Sequence, residues 1–120
     1  MKGSSRRPEQ VAETIRQVVA DLLVRGDVRD PRVGTVTVTR VEVTRDLSHA
    51  RVYVSAPGDD DARTQAIEGL QSAAGFLRSR LARVLTTRTV PEIHIESDRG
   101  LEHAARINEL LEGIRREETG

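Results

Sequence analysis

The amino-acid sequence predicts a small α+β domain in which helices cover one face of a single sheet. Its 120 residues fit one compact domain with its own core. Valines that alternate with polar residues predict strands, and aliphatic residues spaced three and four apart predict helices. The predicted order is helix, strand, strand, helix, helix, strand, followed by a loosely attached C-terminal helix.

The first helix is predicted from Pro8 to Val24. Proline suits the first helical turn, where its missing N–H is no loss, and Gly26 is a natural stop. The apolar residues of one face are Val11, Ile15, Val18, Val19, Leu22 and Leu23. A turn follows over residues 30–34, because Pro31 disfavours a helical conformation in the residue before it.

Residues 35–55 predict an antiparallel hairpin of two strands. The first strand carries four valines whose parity changes midway: Val36, Val38, Val41 and Val43. One extra residue near Thr39–Arg40, a β-bulge, would return all four to the core face. The second strand covers residues 51–55, with Val52 and Val54 inward and Tyr53 outward.

The next two helices are separated by an unexpected glycine. Acidic residues 59–61 favour the start of the first, whose predicted inner face is Ala62, Ala66, Ile67, Leu70 and Ala74. Gly75 costs a helix interior about 1 kcal/mol relative to alanine, so we interpret it as a bend beside small residues. The second helix is predicted to reach about Leu85, with Leu77, Leu81, Val84 and Leu85 inward. In the third strand, residues 90–97, Ile93 and Ile95 face the core.

Charge is distributed unevenly along a chain whose formal net charge is zero. Residues 62–91 hold five arginines against one glutamate, whereas residues 92–120 hold four arginines against eight acidic residues. Only Lys2 is a lysine. Guanidinium groups suit phosphate, although an arginine-rich genome would produce the same bias.

A basic surface is expected beside the bend. Arg80 and Arg83 fall roughly 60° apart on the helix, opposite the leucine stripe, and Arg78 borders that stripe on the other side. The N-terminus of the second helix would add a partial positive charge that favours phosphate. The alternative is a solvated helix face in which Gly75 is only a packing device.

Several short segments then match a known family in order and spacing, between about Arg6 and Leu111. They are Arg6-Arg7-Pro8, Asp30-Pro31-Arg32, Asp46-Leu47, residues 50–55, Gly75-Phe76-Leu77-Arg78, Arg88 with Val90-Pro91, and Asp98. The element order is that of a type II KH domain, with Ala73-Ala74-Gly75 where such domains carry a GxxG loop. The sequence resembles the ribosome-binding factor A family. His94 departs from the bulky apolar or aromatic residue expected there.

The resemblance implies a bacterial assembly factor that binds the small (30S) ribosomal subunit late in maturation. It implies contact near the 5′ end of the 16S rRNA precursor, help with its processing and folding, and a role that matters most in the cold. Residues 1–98 would form the KH-like ribosome-binding domain and residues 99–120 a helical or partly disordered tail. The predicted RNA-binding residues are Ala73, Ala74, Gly75, Arg78, Arg80 and Arg83, with Arg6, Arg7 and Arg88 as additions. We expect a cytoplasmic monomer without cofactor or metal.

Other functions are less well supported by the sequence. The histidines, His49, His94 and His103, are scattered, and no hydrolase, metalloprotease or P-loop motif occurs, so neither catalysis nor a metal site is expected. No stretch is apolar enough for a signal peptide or membrane span. The tail helix, with Ile107, Leu110, Leu111 and Ile114 on one stripe, could instead make the chain a protein-interaction module.

Single residues leave further choices. The only phenylalanine, Phe76, is expected to pack in the core at the bend, with stacking on a base as the alternative. Tyr53 either covers the outer face of the hairpin or contacts RNA. Asp46 and Asp98 are expected to cap N–H groups at element ends.

Overall fold

The structure is a computed structural model that describes residues 7–98 and 110–113. Its helices and strands follow the predicted order: α1 (Pro8–Arg25), β1 (Thr37–Val43), β2 (His49–Ser55), α2 (Asp60–Ser72), α3 (Ala74–Leu81) and β3 (Glu92–Ser97). Residues 110–113 are also helical, with Leu110 and Leu111 exposed. The rest of the predicted tail helix, including Ile107 and Ile114, lies outside the described residues. Arg6, at the N-terminal end of the chain, also lies outside them.

The three strands form one sheet in the order β1-β2-β3, with β2 antiparallel to β1 and parallel to β3. The predicted bulge is present, because the register passes from Val38 to Arg40 and leaves Thr39 without a register partner in β2. The Thr39 hydroxyl donates to a carboxylate oxygen of the buried Asp98 at 2.5 Å. A buried acid at the end of β3 thus fixes the bulge in β1.

The core lies between the helices and one face of the sheet. α1 contributes Val11, Ile15, Val19 and Leu22, which pack against inward side chains of the strands. Val52 and Val54 of β2 are completely buried. Each such aliphatic side chain stabilises the fold by about 1.5–3 kcal/mol. The predicted sandwich of one sheet with helices on one face is confirmed.

Two predicted core positions are wrong. Ala62 is exposed because it lies in the first turn of α2, where its N–H bonds to Asp59, and the buried face of α2 starts only at Ala66. Val84 is 50% exposed. α3 ends at Leu81, and the N–H groups of residues 83 and 84 then bond to carbonyls three residues back. This tighter turn rotates Val84 away from the core face.

The two aspartates expected at element ends are structural in different ways. Asp46 accepts hydrogen bonds from the Ser48 N–H at 3.1 Å and from the Thr44 hydroxyl at 2.8 Å, which closes the turn between β1 and β2. The Ser48 hydroxyl also donates to this carboxylate, at 2.7 Å, and its hydrogen bond together with those from Thr44 and the Ser48 N–H lowers the pKa of the Asp46 carboxyl to about 2. Asp46 therefore caps a turn as predicted. The contacts of the Asp98 carboxylate include the Thr39 hydroxyl, which donates to it, and the Arg40 guanidinium at 3.9 Å.

Candidate nucleic-acid interface

The helical layer is interrupted at a single residue, Ala73, which separates α2 from α3. Its backbone, at φ −90° and ψ 3°, is not helical, and its N–H is shared between the carbonyls of Gly69 and Leu70. Gly75 lies within the first turn of α3 and does not adopt the left-handed conformation. An interruption is therefore present where predicted, but the residue that forms it is Ala73 and not the glycine.

Gly75 has no internal reason to be glycine. It is exposed, and a Cβ atom built on it would meet nothing within 4 Å. Among the described residues, no neighbour approaches Gly75 closely enough to require a glycine there. The interpretation of Gly75 as a packing device is therefore also wrong. Ala74, its neighbour, is half-buried and packs against the core.

The loop between α1 and β1 packs against the C-terminal part of α2, next to the break. A Cβ atom on Gly69 would lie 3.1 Å from Val33 and 3.2 Å from the Cβ atom of Arg32, so this loop packs directly on α2. The Arg32 guanidinium donates to Asp30 at 2.6 Å and to the hydroxyl of Ser72, the last residue of α2, at 3.2 Å. Hydrogen bonds from Arg32 lower the pKa of the Asp30 carboxyl to about 2.

A first cleft, of about 480 Å³, opens between this loop and the break. Arg29 of the loop and Arg80 of α3 both line it. Phe76 lines it too, while part of its side chain packs against the core as predicted. The Arg80 guanidinium carbon lies 5.0 Å from the centroid of the Phe76 ring. No pattern in the sequence selects Arg29, because only the packing of the loop on Gly69 brings it to this cleft.

The three arginines predicted around the bend divide between two sides of α3. Arg80 and Arg83 line a second cleft, of about 510 Å³, together with Arg25 of α1. Arg78 lies on the other side with Gly75, where its guanidinium donates to the carbonyl of Val90 at 3.1 Å. The structure therefore brings Arg80 and Arg83 together and separates them from Arg78.

The remaining predicted cations lie apart from these clefts. Arg7 is exposed and precedes α1, and its carbonyl accepts the N–H groups of Gln10 and Val11. Arg88 is exposed in the segment between α3 and β3. Neither residue lines the two clefts described above.

Ion pairing leaves α3 with uncompensated positive charge. Many arginines elsewhere in the described chain pair with carboxylates: Arg16 with Glu13, Arg25 with Asp21, Arg32 with Asp30, Arg40 with Glu42, Arg51 with Glu96 and Arg63 with Asp60. Residues 69–91 contain four arginines and no acidic residue. Within residues 7–98 and 110–113, no carboxylate lies within 4.0 Å of the Arg78, Arg80 or Arg83 guanidinium.

The outer face of the sheet is polar. The Arg40 guanidinium carbon lies 3.8 Å from the centroid of the Tyr53 ring, and the Tyr53 hydroxyl donates to Glu42 at 3.1 Å. Tyr53 therefore covers the hairpin. The prediction that the three histidines are scattered is wrong for His49 and His94. Their imidazole rings lie within hydrogen-bond distance of each other on this face. None of the helices in the described ranges is long and apolar enough to span a bilayer.

Comparison with known proteins decides the family. Residues 7–111 match the sequence model of the family described as ribosome-binding factor A. The chain belongs to the ribosome-binding factor A family. A ribosome-binding factor A from Desulforamulus reducens is 46% identical over 114 residues, which cover 95% of this chain and 94% of that protein. The family resemblance carried by the short segments is therefore confirmed.

Solved structures of the ribosome-binding factor A family share the fold. The crystal structure of ribosome-binding factor A from Thermus thermophilus superimposes with a TM-score of 0.67 and 25% identity, over 77% of this chain and 96% of that one. A homology model of the Thermus thermophilus protein, fitted into the cryo-EM map of a 30S–RbfA complex, matches with a TM-score of 0.62 and 25% identity over the same shares of the two chains.

Proposed function

We propose that this protein binds the small (30S) ribosomal subunit and 16S rRNA precursor late in assembly, and that it acts by binding and not by catalysis. The observation that carries the proposal is membership of the ribosome-binding factor A family, together with similarity to a relative fitted into a 30S–RbfA map. The element order supports a type II KH-like domain over residues 1–98, with Ala73-Ala74-Gly75 in place of the GxxG loop.

The binding surface is the side of the helical layer formed by the two clefts, with Arg80 shared between them. Arg80 and Arg83 have no carboxylate partner among the described residues, so binding to phosphate does not require breaking an ion pair. Arg29 supplies a further guanidinium across the first cleft. Arg78 and the open backbone at Gly75 form a second contact region on the other side of α3.

The proposed mechanism is stabilisation of one conformer of the precursor RNA through contacts to its phosphates. Phosphate contacts position a domain on RNA without reading its sequence. A domain that binds one conformer of the precursor more tightly than another shifts the population toward that conformer. The effect would matter most in the cold, where misfolded RNA helices escape slowly, and would assist processing at the 5′ end of the 16S rRNA. The protein would act as a cytoplasmic monomer.

Co-sedimentation with purified 30S particles tests the surface. The Arg80→Glu/Arg83→Glu variant should lose most binding while keeping its circular dichroism spectrum. Its remaining binding should depend less on salt, by about 0.7–0.9 in the slope of log K against log salt for each phosphate that the variant no longer neutralises. Arg16→Glu/Arg45→Glu is the matched control, since it changes net charge equally at exposed or partly exposed positions in α1 and in the hairpin turn.

The outcomes separate three possibilities. Equal losses in the two double variants would show that binding follows net charge and not the cleft surface. Full binding by the Arg80→Glu/Arg83→Glu variant would refute the surface and leave the Arg78 side or the N-terminal arginines. A wild-type protein that stays in the supernatant at low salt would refute 30S binding itself.

A further inference from the structure

Two histidines and a glutamate form a cluster on the outer face of the sheet, where β2 and β3 begin. The Nδ1 atom of His49 lies 2.9 Å from the Nε2 atom of His94 and 3.9 Å from a carboxylate oxygen of Glu92. One ligand atom from each residue lies within 4.8 Å of the other two. No local spacing in the sequence predicts this cluster, because His49 belongs to a different strand from the other two residues.

The backbone that carries the cluster is fixed by hydrogen bonds. In the parallel pairing of β2 with β3, His49 is the register partner of Glu92. His94 follows two residues later in β3 and so points to the same face as Glu92. The Glu92 N–H donates to the Ser48 carbonyl at 2.9 Å, and the His49 N–H donates to the Thr44 hydroxyl at 3.1 Å. The ligand atoms can therefore converge by side-chain rotation alone.

The donor set is one that transition metals use. Two imidazoles with one glutamate bind zinc in known enzymes, and imidazole also suits copper and nickel. With metal–nitrogen bonds of about 2.0–2.1 Å, two nitrogens bound at a right angle lie about 2.9 Å apart, and two bound at the tetrahedral angle about 3.4 Å apart. The observed 2.9 Å matches the first arrangement and is within about 0.5 Å of the second.

The neighbouring charges leave the ligands available. Arg51, the closest basic residue along β2, pairs with Glu96 at 3.7 Å. Among the described residues, no arginine guanidinium lies within 4.0 Å of the Glu92 carboxylate, and the nearby basic side chain is that of His49 itself. Without a metal, one ring nitrogen of the histidine pair must donate to the other. A bound cation would replace that shared proton.

We propose that His49, Glu92 and His94 form a surface site for a divalent transition-metal ion, with Zn²⁺ as the ion to test. Three protein ligands leave at least one coordination position for water or for an oxygen or nitrogen atom of a partner. The site lies on the sheet face that the helices do not cover, so it is separate from the proposed RNA surface and can be tested independently of 30S binding.

Titration of the full-length protein with Zn²⁺ tests the site by calorimetry. One saturable site per chain is expected. His94→Phe and His49→Asn should each weaken binding at least about tenfold, and Glu92→Gln should weaken it measurably. Asp61→Asn is the matched control, because it removes one exposed carboxylate from α2, away from the cluster and from its neighbouring ion pairs, and its affinity should equal that of the wild type.

The imidazole ¹⁵N resonances of the wild-type protein give a readout that needs no variant. Zn²⁺ should shift the resonances of His49 and His94 together and with the same saturation. Absence of saturable binding would mean that the two histidines form only a hydrogen-bonded pair. Wild-type affinity in His94→Phe, or shifts confined to His103, would place the ion elsewhere. Either result overturns the proposal.

Discussion

Replacement of Gly75 by alanine separates the stability of the fold from its proposed function. The residue lies inside α3, does not adopt a left-handed conformation, and has open space where a Cβ atom would sit. Gly75→Ala should therefore stabilise the protein by about 0.5–1 kcal/mol, the usual gain from replacing glycine in a helix. For a domain of this size, that gain raises the melting temperature by about 2–6 °C.

The same substitution should weaken 30S binding. If RNA backbone approaches α3 closely at Gly75, a methyl group there holds it away, and we expect about a tenfold loss, equal to about 1.4 kcal/mol. Urea unfolding and co-sedimentation on the same preparation measure the two effects. Gly75→Ala that binds like the wild type would show that RNA does not approach this glycine. A destabilised Gly75→Ala variant would refute the account of α3 itself.

Gly69 provides the contrast, because it is also helical but tightly packed. A methyl group there meets Val33 at 3.1 Å and Arg32 at 3.2 Å. Overpacking of this kind costs about 1–3 kcal/mol, against a helix-propensity gain of about 1 kcal/mol. Gly69→Ala should therefore lower the free energy of unfolding while Gly75→Ala raises it. Opposite signs at two helical glycines would show that packing, and not propensity, sets the difference.

Two further predictions concern carboxylates. Asp98→Ala should destabilise the fold by about 1–3 kcal/mol, because it removes the carboxylate that accepts a hydrogen bond from the Thr39 hydroxyl. A double-mutant cycle with Thr39→Val, measured by urea unfolding, should show a coupling energy of at least about 0.5 kcal/mol. Strict additivity of the two substitutions would contradict this prediction. Arg32 lowers the folded-state pKa of Asp30 from 3.8 to about 2. The ionised Asp30 carboxylate therefore stabilises the folded state fully above pH 3.8, and this stabilisation is lost as the pH falls toward 2. Asp30→Asn should therefore flatten the acid side of the stability–pH curve, and an unchanged slope there would refute the effect.

The order of elements and most of the core could be predicted because they depend on local periodicity. Valines in β2 alternate strictly, and Val52 and Val54 are buried as expected. The bulge was predictable for the same reason, since a change of parity within one strand leaves few other ways to keep its valines inward. The end of α3 was not, because a few i→i−3 hydrogen bonds after Leu81 are enough to turn Val84 outward.

The candidate sites required the tertiary structure. Periodicity placed Arg80 and Arg83 on one face of a helix, and the structure does bring them together. Sequence periodicity could not show that Ala73 forms the break, since an alanine in a helical pattern does not predict an interruption. It also could not bring His49 to His94, because a parallel pairing of β2 with β3 joins residues far apart in the chain.

The first cleft shows how distant segments make one surface. Gly69 lets the loop approach α2, and Arg32 then joins Asp30 to Ser72 at the end of that helix. Because Asp30 is occupied by Arg32, it does not neutralise Arg29 in the neighbouring position, and within the described residues Arg29 makes no ion pair with a carboxylate. An aspartate that reduces the net charge of the chain thus orders the loop that presents a free guanidinium opposite Arg80. Asp27 also lines the first cleft but lies 3.7 Å from the Arg25 guanidinium, so both aspartates there are paired with other arginines. In this way a chain with a net charge of zero can still present unpaired guanidinium groups at one surface.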